Sequence, residues 1–85
     1  MRLTLSEAEE LVEVHLMGLG EQDNAQTYSA TVFDSDTSEV WAQIDQFLEG
    51  RVAAFDRSSI TVAPDHIDDM DIPCVAVTIK LEARQ

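Results

Sequence analysis

From residue 3 to residue 50 the chain has no lysine and no arginine. The basic side chains are Arg2, Arg51, Arg57, Lys80 and Arg84, set against seventeen acids, for a formal net charge of -12. That shortage excludes bare nucleic acid and anionic lipid as direct partners, because either would be repelled. Cysteine is nearly absent too. Cys74 stands alone, which rules out an internal disulfide and a paired-cysteine zinc site, and it opens an apolar run where a thiol packs as a small hydrophobe. The three glycines and two prolines form no Walker loop, dinucleotide-binding glycine pattern or G-x-S-x-G elbow. Neither an apolar run of about 18 residues nor a charged-then-apolar leader is present, so a soluble, cytoplasmic protein is expected.

What is present suffices for a folded domain. Apolar residues make up 45% of the 85, too many for the low-hydrophobicity signature of disorder, and the length fits one domain over residues 1–85. Thr4/Glu7 and Ser6/Glu9 have capping-box spacing, so a helix is expected to start near Leu5. Leu5, Ala8, Leu11, Val12, His15, Leu16 and Leu19 share one face at helical spacing, with Glu9, Glu10 and Glu13 opposite; Gly18 or Gly20 would stop the helix. Residues 21–24 read as a polar connection and 26–33 as a half-buried strand. Asp36 and Glu39 mark the start of a second helix, striped by Val40, Trp41, Ile44, Phe47 and Leu48 and ending at Gly50. Residues 52–55 and 60–62 are short strand candidates, 64–73 lies between two prolines and reads as a loop, and 74–82 is the clearest strand. The resulting order, α-β-α-β-β-β, predicts an α+β fold. Two helices would pack on one face of a small, mostly antiparallel sheet of three to four strands. A strand over residues 2–5, giving a ferredoxin-like βαβ unit, is the lesser alternative.

No catalytic constellation stands out, and neither an enzyme nor a cofactor nor a metal is expected. His15 falls within an apolar stripe and reads as a core histidine, with no second ligand on its face. Asp65, His66, Asp68, Asp69 and Asp71 gather oxygen and imidazole donors, but the stretch lacks the glycine and the ligand spacing of a calcium loop. Trp41 reads as core.

The charge distribution carries the functional expectation. Eleven of the acids lie in the base-free span 3–50. The helix dipole rewards early glutamates, yet Glu9 and Glu13 form a like-charge i,i+4 step costing a few tenths of a kcal/mol, and Asp45 and Glu49 repeat it on the second helix. Val14 and Met17 project beside the acids of the first helix. Carboxylates about 5 to 6 Å apart on helices, facing a partner that normally holds DNA with its charge per 1.7 Å of axis, can imitate phosphates. In size and charge the chain resembles the small acidic inhibitors that phages encode, including DNA-mimic proteins and several anti-CRISPR proteins. That resemblance implies a non-enzymatic protein in the host cytoplasm, occupying the basic, nucleic-acid-binding surface of a protein complex. The expected contact residues are Glu9, Glu10, Glu13, Met17, Asp45 and Glu49, with Asp65, Asp68, Asp69 and Asp71 as a second patch. Two other readings compete: a salt-adapted domain of haloarchaeal type with a generic acidic surface, and an assembly subunit whose weakly polar Cys74, Ala76 and Thr78 face packs against another chain or a copy of itself.

Overall fold

The computed structural model describes residues 2–49, 57–67 and 72–82. The chain opens with helix α1 (Leu5–Glu10), which runs directly into a π-helical turn (Leu11–His15). Strands β1 (Leu19–Asn24) and β2 (Thr27–Phe33) follow, then helix α2 (Thr37–Leu48), a 3-10 turn (Arg57–Ser59), and strands β3 (Ile60–Ile67) and β4 (Ile72–Lys80). The strands form one sheet in the order β1-β2-β4-β3, with each neighbouring pair antiparallel. The fold is therefore α+β, with two helices and a four-stranded antiparallel sheet.

Local chemistry accounts for where the helices begin. The Glu7 amide donates to Thr4 Oγ1 at 3.3 Å and the Thr4 amide donates to Glu7 Oε1 at 3.0 Å, a complete capping box. At α2 the Glu39 amide donates to Asp36 Oδ1 at 2.8 Å. The apolar residues of both helices and of one sheet face make a single core. Ala8, Leu11, Val12 and Leu16 come from the first helix and its π turn, Val40, Ile44, Phe47 and Leu48 from α2. Tyr28, Ala30 and Val32 of β2, Val75, Val77 and Ile79 of β4, and Ile60 of β3 supply the sheet side. Trp41 packs against this core partly buried.

The element order departs from the α-β-α-β-β-β expectation at three places. Residues 21–24 are not a connection but most of β1, whose side chains are almost all exposed. An edge strand needs no apolar alternation when its partner supplies the ladder. The turn that closes the β1-β2 hairpin is local, with the Gln26 amide donating to Asn24 Oδ1 at 2.8 Å. Leu19, placed on the helix stripe by its spacing, lies in β1. The first helix ends earlier, because the π turn takes one extra residue (the Leu16 amide reaches Leu11 O at 2.9 Å) and Met17 then adopts φ 54°.

The segment 64–73 is not a loop at its ends. Pro64 to Ile67 complete β3 and Ile72 and Pro73 begin β4. Proline is tolerated because β3 is an edge strand. The strand expected over 52–55, the stop at Gly50, and Asp68, Asp69 and Asp71 lie outside the described residues. Residues 2–4 form no strand, although Leu3 O accepts from the Glu82 amide at 2.8 Å, so the ferredoxin-like alternative loses its first strand. Instead β2 and β3 run parallel to each other with β4 between them, and α2 makes the crossover.

Candidate interaction surface

The π turn packs beside β1, while α2 packs against β3 and against the π turn. The helices touch where the His15 ring meets the Phe47 ring, centroids 4.9 Å apart and tilted by 58°. His15 is thus half-buried against an aromatic, which accounts for its place in the stripe without a ligand.

Glu9 is half-buried and Glu13 exposed. Both bear on Tyr28, the buried tyrosine of β2. Burial raises its phenol pKa above 10.0, and the carboxylates of Glu13 and then Glu9 push it further. The ring of Tyr28 reaches over β1, since a methyl on Gly20 would come 2.6 Å from Cε1 and 2.7 Å from the hydroxyl. Glu9 and Glu13 are thus near enough to Tyr28 for their charge to act on its phenol, and Glu10 is exposed on α1.

Val14 and Met17 are 65% and 84% exposed, as their off-stripe positions indicate. Met17 holds the left-handed backbone conformation that glycine ordinarily takes at a helix end. Between this turn and the first half of α2 lies a cleft of about 150 Å³ lined by His15, Met17, Ser35 and Glu39 among others. Asp45 is exposed on α2, the helix on the β3 side, and Glu49 is exposed as the extended residue that caps its end. The first patch named from sequence thus divides between the first helix with its π turn and Met17, and the end of α2 with Glu49.

Asp65 is on the opposite side of the sheet. Its register partner is Cys74, whose neighbours Val75 and Val77 point into the core, so Asp65 and Cys74 share the outer face. His66 follows Asp65 and points the other way, so the two side chains do not converge on one ion. Among the described residues no three histidine, cysteine or acidic side chains are grouped as a metal site would require. Burial, with a smaller contribution from Asp65, pushes the Cys74 thiol above its usual pKa, which suits an inert thiol. Among the described residues no helix is long and apolar enough to cross a membrane.

Sequence reasoning missed Tyr28 as the group that reports on these glutamates and Glu39 as a wall of the cleft. The positions of both were legible; which helix flank faces the tyrosine required the sheet register. Comparison with protein families, curated proteins and solved structures finds no match.

Proposed function

We propose that this protein is a non-enzymatic, acidic binding protein that occupies a basic, nucleic-acid-binding surface of a protein partner in the cytoplasm, in the manner of phage-encoded DNA-mimic and anti-CRISPR inhibitors. The observation that carries the reading is the succession of Glu9, Glu10 and Glu13 on the first helix and its π turn with the exposed Val14 of that turn and the exposed Met17 just beyond it, in a span of 48 residues without a base. Solubility alone calls for acids with interspersed lysines and for polar residues at positions 14 and 17. A contact surface for a basic partner calls for a concentration of acids around an apolar centre, since interface centres are apolar and rims polar. The cleft beside Met17, walled by Glu39, has room for one side chain of a partner, and a lysine or arginine meets a carboxylate there. Asp45 and, just past the helix end, Glu49 extend the surface to α2; Asp68, Asp69 and Asp71 serve as a separate second patch.

The test is a triple reversal, Glu9→Lys, Glu10→Lys and Glu13→Lys, in affinity capture from a host lysate. The reading expects loss of the captured partner with folding stability unchanged or raised by a few tenths of a kcal/mol, as the Glu9–Glu13 repulsion disappears. Capture that is undiminished by the triple reversal contradicts it.

A further inference from the structure

The outer face of the sheet is covered by no described element and differs in composition from the rest of the chain. Across the strands, one row reads Leu19, Thr31, Ala76, Ala63, and the next reads Glu21, Ser29, Thr78, Thr61. At one end Phe33, the buried Cys74 and the exposed Asp65 form a third row, and at the other Thr27 lies beside Lys80. In a chain of net charge -12 the two central strands thus present no acid on this face, and they present the one lysine, while the edge strands bring Glu21, Asp65 and Asp23, which accepts from the Ser29 hydroxyl. Leu19 is 71% and Phe33 37% exposed here. A shallow concavity of about 460 Å³ lies between β1, β2 and β4, bordered by Leu19, Glu21, Thr31 and Thr78 among others.

We propose that this face is a homodimer interface. Two copies stack sheet on sheet about a twofold axis that runs parallel to the sheets, midway between them, and crosses the strands between the Ala76 and Thr78 rows. This axis carries Lys80 of one protomer above the Cys74–Asp65 row of its partner, and the reverse, so two opposite charges meet twice. It also sets each Leu19 over the concavity of the other copy. Small side chains along the middle rows permit the close face-to-face spacing of about 10 Å seen in sandwiches.

Three further considerations favour a copy of this chain as the occupant. Stacking through this face sends both helix layers outward, so their glutamates stand several Debye lengths apart, each length about 8 to 10 Å, and their repulsion is screened. Four strands about 4.8 Å apart and some seven residues long cover about 500 Å² per protomer, or roughly 1,000 Å² in total, enough for a specific association. The sheet edges offer poorer docking. The register of β1 slips between Gln22 and Asn24 beside Glu21 and Asp23, and β3 carries Pro64.

The test is sedimentation equilibrium of the full chain over about 1 to 200 µM, a range that brackets an association of this size. The wild-type chain is expected to be dimeric at the upper end. Thr78→Arg, in the middle of the face, should weaken association by about a hundredfold or more while circular dichroism stays unchanged. Should that variant fail to fold, Lys80→Asp and Asp65→Lys, both at exposed positions, give an independent measure. Each alone should weaken association about tenfold, and the double variant should recover it. A chain that is monomeric throughout, a dimer indifferent to Thr78→Arg, or single reversals that the double variant does not rescue would overturn the proposal.

Discussion

Met17 and Gly18 show how much a single backbone position decides. Met17, not a glycine, takes the left-handed conformation that ends the helix, at a cost of about 1–2 kcal/mol for a residue with a Cβ. Gly18 is indispensable for another reason: a Cβ there would come 2.6 Å from the Thr31 carbonyl oxygen in β2. Met17→Gly is therefore expected to stabilise the fold by about 0.5–1 kcal/mol, the relief of strain being partly offset by backbone entropy. Gly18→Ala should destabilise it by about 1–3 kcal/mol. Denaturant unfolding distinguishes these, and a Met17→Gly variant less stable than wild type would show that the exposed methionine is structurally required. If Met17 is instead kept for binding, the stabilised variant should capture partner less well. From sequence both glycines were candidate stops for the helix, and nothing local separated a position needing left-handed φ from one needing space.

At the scale of elements, capping boxes and alternation located both helices, β2 and the body of β4, because each signal is local. The edge strand β1 and the part of β3 beyond the expected strand at 60–62 escaped for a common reason. β1 has exposed side chains nearly throughout and β3 runs through a proline, so neither carries an alternating strand pattern along its length and each rests on the ladder to the strand that follows it. The π turn escaped because 3.6-residue spacing continues plausibly past Leu11, and only tertiary packing favours the wider turn. The placement of Glu9 and Glu13 near Tyr28 is open to direct measurement, since the chain has a single tyrosine. Folding raises the phenol pKa above 10.0, so the native state holds the proton more tightly than the unfolded chain. This contribution to stability is complete below pH 10.0 and is lost as pH climbs through the folded value. Ultraviolet titration of tyrosinate should give a pKa above that of free tyrosine, moved down by Glu13→Gln and less by Glu9→Gln. A phenol titrating normally, or one indifferent to both substitutions, would separate the first helix from β2.

For the whole molecule, the charge imbalance was legible from composition, and its partition between the helix side and the outer sheet face was not. The registers place the uncharged rows of β2 and β4 together, and only then does a weakly polar strand pattern become a surface. The purpose of the acidity remains the central question, and ionic strength is the variable that separates function from environment. A salt-adapted chain depends on screening to fold, whereas a mimic of phosphates folds without it and binds through the unscreened charge. The wild-type protein is expected to keep its circular dichroism spectrum and thermal transition down to about 10 mM salt, where a Debye length of about 30 Å leaves self-repulsion strongest. The most direct measurement is the amount of partner retained from lysate on the immobilised wild-type chain as salt rises from about 50 to 500 mM. Retention should fall by about tenfold or more across that range while the chain stays folded; retention that holds steady with salt would contradict an acidic surface as the binding determinant.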